Sequence, residues 1–227
     1  MQRIIPLVLA STALNASPCP EVLFDGTTLE PFTLAPGAWE IEGDGSMVCR
    51  MESTKGKDGK EHLRSKGYIW TKGVYGDFDL RLLYKLSQGA NSGVFYRANP
   101  KDPVQDGFEV QLMDNKGFLQ AHNRELPPRK LNGSFYDGIG APKDFSEPIG
   151  QWNNFHLRCE GPVVTCHING NLCFQVNVED WDKPGQNPDG SANKFKIALK
   201  DFPRTGHIGF QNHGQVVWFK DVSINRL

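Results

Sequence analysis

The sequence predicts an all-β fold, two antiparallel sheets packed face to face as a jelly-roll sandwich, and three observations carry that prediction. Apolar and polar residues alternate with a period of two over many short stretches, as strands with one buried face require. Turn-forming groups separate those stretches, among them Gly43-Asp44-Gly45, Gly161-Pro162 and Asn169-Gly170. Hardly any segment spaces its apolar residues as a helix would over three turns. The 227-residue chain is 38% hydrophobic and carries 24 Gly and 15 Pro, so it has one large core to bury and many turns to cut it with.

Taken in order, segment 1–18 reads as an export signal. Arg3 gives it a positive start, 4–14 is apolar, and Ala13 or Ala16 offers a small residue for cleavage. The apolar run is shorter than the roughly 20 residues of a membrane span. Removal of the signal would leave a single sandwich domain over 19–227 in the periplasm or outside the cell. Cys19 stands where a lipid-anchored cysteine would, but Pro18 does not suit a lipoprotein signal.

Strands are expected at 38–41, 47–51 and 68–71. In 78–86, Phe78, Leu80, Leu82, Tyr84 and Leu86 share one face. A strand at 92–97 follows, and in 108–113 Glu109, Gln111 and Met113 lie opposite the apolar set. Stretch 154–160 turns Phe155, Leu157 and Cys159 inward, and strands at 163–168, 172–176, 207–211 and 216–224 complete the pattern. Two irregular segments remain, 115–151 and 180–204. They carry Phe118, Phe135, Tyr136, Phe145 and Phe195, so they are expected to form the ordered walls of a cleft.

The five cysteines, at 19, 49, 159, 166 and 173, form no metal-binding spacing. If Asn169-Gly170 is a two-residue hairpin turn, Cys166 and Cys173 stand opposite each other within disulfide reach. Burial of Cys159, Cys166 and Cys173 as small apolar side chains fits the pattern equally well.

Charge excludes several partners. Lys plus Arg number 25 against 26 Asp plus Glu, a net charge of −1, so no counterion-release term draws the chain to nucleic acid. No basic cluster longer than Arg129-Lys130 marks a membrane surface. No cofactor motif appears. A structural calcium ion is compatible with such folds, but there is no acidic EF-hand loop, and no metal ligand is assigned.

The polar strand faces give a candidate site. Residues two apart share a face, which groups Gly93, Phe95 and Arg97, then Glu109 with Gln111, then His207, Gln211 and His213 if that strand stays extended. Carboxylate, amide and guanidinium groups on one sheet face suit the hydroxyls of a sugar. Each also has an ordinary role: Glu109 and Gln111 as wet surface, Arg97 as a cross-strand ion-pair partner, His213 as a turn residue. Retaining β-sandwich glucanases use E-x-D-x-x-E on one strand. Here Glu109-x-Gln111-x-x-Asp114 lacks the middle carboxylate, and Asp114 to Gly117 reads as a turn.

Across most of its length the chain resembles the 3-keto-disaccharide hydrolase domain family, a group of lectin- and concanavalin-like sandwiches. The likeness runs through Leu23-Phe24-Asp25-Gly26-Thr27, Tyr75-Gly76-Asp77-Phe78 and Asn91-Ser92-Gly93-Val94-Phe95-Tyr96-Arg97. It continues through Phe108-Glu109-Val110-Gln111-Leu112-Met113-Asp114-Asn115, Gly133-Ser134-Phe135-Tyr136 and Gly150-Gln151-Trp152-Asn153. It ends with Gly206-His207-Ile208-Gly209-Phe210-Gln211-Asn212-His213-Gly214 and Val217-Trp218-Phe219-Lys220-Asp221-Val222.

The resemblance implies hydrolysis of disaccharides or glycosides already oxidised to a ketone at C3. Such a ketone acidifies the proton on C2, so a base can form an enolate that expels the C1 substituent, and water then adds. On that chemistry Glu109 or His213 would be the base, and Arg97 with Asn91 or Gln111 would hold the enolate oxygen. Gln211, Tyr136 and, less directly, His207 would bind substrate. Three departures stand out, one of them an unfamiliar insertion around 122–130 placed to reshape the cleft. Asn212 occupies a place where the family usually has an acid, and Lys220-Asp221 replaces Arg-Asn. The alternative is a carbohydrate-binding module that holds sugar without cutting it.

Overall fold

The computed structural model describes residues 19–57 and 59–227, so the expected export signal at 1–18 lies outside the described residues. Strands are numbered in chain order. The larger sheet runs, edge to edge, β13 (Asn171–Asn177), β12 (Val163–Ile168), β11 (Asn153–Glu160), β8 (Phe78–Leu86), β15 (Val217–Arg226), β4 (Met47–Cys49) and β3 (Trp39–Ile41), and β1 (Glu21–Phe24) also pairs with β15. The smaller sheet runs β10 (Phe108–Met113), β9 (Asn91–Ala98), β14 (His207–Phe210), β7 (Ile69–Thr71) and β2 (Phe32–Leu34). A separate hairpin pairs β5 (Met51–Lys55) with β6 (Glu61–Ser65). All pairings are antiparallel, as the sequence predicts.

The period-two alternation becomes the layer between the two sheets. Phe78, Leu80, Leu82, Tyr84 and Leu86 of β8 and Phe155, Leu157 and Cys159 of β11 are all buried there. From the smaller sheet, Val94 and Tyr96 of β9 and Phe108, Val110 and Leu112 of β10 face them. Each fully buried large apolar side chain contributes about 1.5–3 kcal/mol. Because Phe108, Val110 and Leu112 point into this core, Glu109 and Gln111 must point to the outer face of the smaller sheet. That outer face carries the site.

The irregular segments divide their aromatic residues between core and cleft. Phe135 stacks at 6.0 Å on Phe108 and meets Trp181 at 5.3 Å, and Phe195 is buried against Phe202. Those two rings therefore anchor the segments to the core rather than lining a wall, while Phe145 packs against the core margin.

Several elements differ from expectation. The strands β1, β2, β5 and β6 carry little alternation, since β5 and β6 are exposed along nearly all of both faces and β2 has three residues. The expected strand at 47–51 divides at Arg50 into β4 and β5. Asp114 does not open a turn. It caps α1 (Asn115–His122), accepting from Gly117 N at 3.0 Å with one oxygen and from Gly89 N at 2.8 Å with the other.

The Asn169-Gly170 turn is as expected, with φ of 51° and 76° and Ile168 opposite Asn171. A bulge between Cys166 and His167 shifts the backbone pairing by one residue, so Cys166 pairs with Phe174, yet the Cys166 and Cys173 thiols still meet within hydrogen-bond reach. All five cysteines are free thiols, and four are buried.

Candidate active site

A cleft of about 530 Å³ opens on the outer face of the smaller sheet, between the strand surface and the two irregular segments. Strand β10 supplies Glu109, Gln111 and Met113, β9 supplies Asn91, and Gln211 and His213 follow the end of β14. Tyr136 and Lys194 come from the irregular segments, and Phe118 comes from α1. Six of the eight residues expected from sequence therefore meet in one place: Asn91, Glu109, Gln111, Tyr136, Gln211 and His213.

Glu109 lies at the floor, 7% exposed. Its side chain crosses Gly93 on the neighbouring strand so closely that a Cβ there would fall 2.4 Å from Oε1. Glycine is thus required at 93 by space. Gln211 Nε2 donates to Glu109 Oε1 at 3.3 Å and to the Tyr68 hydroxyl at 3.1 Å. Gln111 Nε2 donates to Asn91 Oδ1 at 2.8 Å, which holds a second pair of amides beside the carboxylate. Beneath them Tyr68 stacks on Phe95 at 5.8 Å, with Trp70 against both. Trp70 has room because position 209 is glycine, where a Cβ would lie 2.3 Å from its ring.

Burial pushes the Glu109 carboxyl up to about 7, and the Lys194 ammonium partly opposes the shift. Lys194 Nζ stands 3.8 Å from Glu109 Oε2 and 4.0 Å from the centre of the Tyr136 ring. Its own pKa is lowered by the same burial. Tyr136 is pushed up to about 12 by burial and by the charges of Glu109 and Asp137. The cleft therefore holds a carboxylate poised near neutrality, a partly buried cation beside it, and several uncharged hydrogen-bonding groups. His213 sits exposed at the rim, and Arg124 and Lys130 add positive charge at the mouth.

Two expected residues lie elsewhere. Arg97 is fully buried and donates to Gly76 O at 2.8 Å, Gly161 O at 2.9 Å and Asp77 Oδ1 at 2.8 Å. The cause is a bulge where β9 pairs with β14: Ala98 pairs with His207 and Phe95 with Gly209, and Arg97 takes a left-handed φ of 47°. The side chain leaves the face shared by Gly93 and Phe95 and clamps the loops of the opposite sheet. His207, at the same irregularity, donates from Nδ1 to Thr71 O at 2.7 Å and borders a different depression beside Ala98 and Asn99.

Asn212 is also turned away. It is buried, donating to Arg50 O at 2.8 Å and accepting from Gly214 N at 3.1 Å. Asp221 has a φ of 53° at a bulge in β15, a conformation that Asn and Asp tolerate best, which accounts for the exchange with Asn at this position. Sequence reasoning passed over Lys194 and Tyr68. Lys194 sits in an irregular stretch, where no periodicity says which way a side chain points.

A larger depression of about 730 Å³ lies on the outer face of the larger sheet, lined by Arg81, His156 and His167 among others. Asp79, beside its lining, is already engaged with Arg81 at 3.0 Å and His156 at 2.7 Å, and Asp221, which lines it, is exposed to solvent. Chemistry favours the smaller cleft, where Lys194 stands 3.8 Å from Glu109, longer than a hydrogen bond, and leaves the carboxylate open to a ligand. Among the described residues no group of three or more His, Cys, Asp or Glu is placed to hold a metal ion. No helix among them is long and apolar enough to cross a membrane.

Comparison with known proteins places this geometry in a family. A candidate glycosyl hydrolase from Parabacteroides distasonis superposes with a TM-score of 0.79 at 27% identity, covering 92% of this chain and 100% of that one. A second protein of that organism, also a candidate glycosyl hydrolase, shares the fold with a TM-score of 0.71 at 23% identity, covering 92% of this chain and 94% of its own. A 3-keto-disaccharide hydrolase of Bacteroides thetaiotaomicron is 26% identical over 232 residues, which span 90% of this chain and 77% of that protein. Residues 20–225 match the 3-keto-alpha-glucoside-1,2-lyase-like domain, and the chain belongs to that family.

Proposed function

We propose that this protein cleaves the glycosidic bond of 3-keto-glycosides or 3-keto-disaccharides, with Glu109 as the base that removes the proton on C2. The observation that carries the proposal is the Glu109 carboxyl itself, buried on the cleft floor and raised to about 7, where a base can both take and return a proton near neutral pH. The family match and the named activity of the Bacteroides relative support the substrate class.

The steps follow from that placement. Glu109 takes the C2 proton, and the electron pair moves into a C2–C3 double bond as the ketone oxygen becomes an enolate. The pair then returns through C2 to form a C1–C2 double bond as the C1–oxygen bond breaks. The leaving oxygen takes a proton at the cleft rim, the position of His213. Water adds to C1 and a proton returns to C2 from Glu109, which completes net hydrolysis. Asn91, Gln111, Gln211, Tyr68 and Tyr136 offer the donors and acceptors that hold the sugar ring.

Ordinary double displacement fits less well. It needs two carboxylates about 5–5.5 Å apart. Glu109 is the sole carboxylate residue among those lining the cleft, and Asp114 spends both oxygens on the cap of α1 and on Gly89.

The test is product analysis with a 3-keto-α-glucoside and its unoxidised parent in parallel. Release of 3-keto-glucose from the first alone, with solvent deuterium entering at C2, is the expected result. Saturable binding without cleavage of either would replace the enzyme with a carbohydrate-binding module. Cleavage of the unoxidised glycoside would overturn the proton-abstraction chemistry.

A further inference from the structure

We propose that the Lys194 ammonium receives the C3 oxygen of the substrate and, by stabilising the charge that develops there, makes the cleft select oxidised sugars over ordinary ones. The inference rests on the substrate class proposed above. Abstraction of a proton next to a ketone puts two requirements on a site: a base at the hydrogen of C2 and an electrophile at the oxygen of the adjacent carbon. The two groups must therefore stand side by side and face the same space, so that the C2–C3 fragment can lie across both.

Glu109 and Lys194 meet that requirement. Nζ is 3.8 Å from Oε2, longer than a committed hydrogen bond, and both groups face the cleft. Arg97, the cation the sequence offered for this place, is withdrawn into the body of the protein. Arg124 and Lys130 also line the cleft, but neither forms an ion pair with Glu109, whereas Lys194 does.

The fold also holds Lys194 in position. Its backbone N donates to Asp137 Oδ2 at 2.8 Å, and its carbonyl accepts from Gln105 Nε2 at 3.1 Å. Asp137 is buried and paired with Arg129 at 3.2 Å and Lys130 at 3.4 Å, which fixes the anchor itself. The ammonium rests on the face of Tyr136, which favours a cation without supplying an anion that would compete with the substrate. An irregular segment has been tied down at both sides of one lysine so that its tip meets the general base.

Selectivity follows from where charge appears. Both a hydroxyl and a ketone oxygen can accept a hydrogen bond from an ammonium, so binding alone discriminates little. Only the ketone oxygen becomes an anion during C2 proton removal, so the interaction strengthens in the transition state of the oxidised sugar alone.

The experiment compares wild type, Lys194→Met and Lys194→Arg on a 3-keto-α-glucoside, after circular dichroism confirms that all three are folded. Lys194→Met is expected to lower kcat by about 10²–10³ with a much smaller change in KM, the effect of losing one oxyanion donor. It should slow deuterium exchange at C2 of 3-keto-glucose by a similar factor. The Glu109 carboxyl, followed by carbon NMR without substrate, should titrate at higher pH in Lys194→Met and return toward wild type in Lys194→Arg.

A Lys194→Met variant with wild-type kcat and exchange would overturn the proposal. So would a sugar adduct on Lys194 trapped by borohydride during turnover, because the lysine would then act covalently rather than through its charge. If wild type itself cleaves no 3-keto-glycoside, the failure belongs to the substrate class proposed above, and the NMR titration still reports whether Lys194 sets the state of Glu109.

Discussion

As the proposed base, Glu109 faces two opposed demands. A base must be ionised to take a proton, yet burial on the cleft floor favours its neutral form and raises the carboxyl from 4.5 to about 7. The conflict has a stability signature. Because the folded pKa lies above the unfolded one, the folded state holds the proton more tightly, so the contribution of Glu109 to stability is greatest below pH 4.5 and declines as pH rises toward 7. The shift corresponds to about 3 kcal/mol. Glu109→Gln removes this dependence. The variant should be more stable than wild type by up to about 3 kcal/mol at pH 8 relative to the difference at pH 4, in denaturant unfolding at both values. Its kcat on a 3-keto-glycoside should fall by about 10²–10⁴, the usual contribution of a general base. In wild type, kcat/KM should rise with pH through a limb near 7.

Arg97 makes the opposite case at the same scale, a charged residue on an expected sheet face whose role is structural. Arg97→Met leaves the carbonyls of Gly76 and Gly161 without their donor, while Asp77, 40% exposed, can turn to water. A loss of about 3 kcal/mol in unfolding free energy is expected, since removing one partner of a buried pair costs 3–5 kcal/mol and Asp77 is partly solvated. The kcat of the folded protein should not change, because the guanidinium does not reach the cleft. A large fall in kcat at unchanged stability would mean that Arg97 acts on the substrate after all.

At the scale of elements, the site depends on how closely β9 and β10 lie together. Gly93 stands opposite Gln111 in register and leaves the space that the Glu109 side chain crosses. Gly93→Ala would place a methyl 2.4 Å from Oε1, so the carboxylate must move. Because the methyl would meet the Glu109 side chain and not backbone, the sheet should survive with about 1–3 kcal/mol of overpacking strain. Activity should fall far more than stability, by about 10²-fold for a displaced base. Unfolding measurements paired with kcat/KM separate the two effects, and an equal wild-type rate would show that Glu109 need not sit where it does. The β9 bulge belongs to this scale as well. One extra residue opposite Ile208 sends Arg97 to the other side and brings Ala98 beside Trp70 and Phe95.

Across the whole molecule, two sheets and two irregular segments divide the work. The sandwich core is made by the strands, and Phe135, Phe195 and Trp181 tie the segments to it. The cleft is then closed by loop residues that the core holds still. Thiol chemistry reports on this packing. Alkylation of the native protein should label the exposed Cys19 quickly and Cys49, Cys159, Cys166 and Cys173 slowly, with all five labelled once the unreduced chain is denatured. Mass spectrometry that finds Cys166 and Cys173 unlabelled and joined would show that these neighbouring thiols are oxidised to a disulfide rather than free.

Fold class and much of the site were written in the sequence. Alternation fixes which face of a strand is buried, so Phe108, Val110 and Leu112 in the core oblige Glu109 and Gln111 to lie outside it, and the one-residue slip that would reverse them is forbidden by the apolar face. Asn91, expected only from the family resemblance, joins them because β9 begins one residue earlier than the alternation predicts. Tertiary structure alone decided the fate of Arg97 and the position of Lys194. A bulge is a local break in the period on which strand reasoning depends, and it becomes visible only when the partner strand is in place. An irregular segment has no period at all, so the direction of Lys194 is set by long-range bonds from its backbone to Asp137 and Gln105. Periodicity carries information along a chain only while the hydrogen-bond ladder stays regular; beyond it, contacts between residues distant in sequence determine where each side chain points.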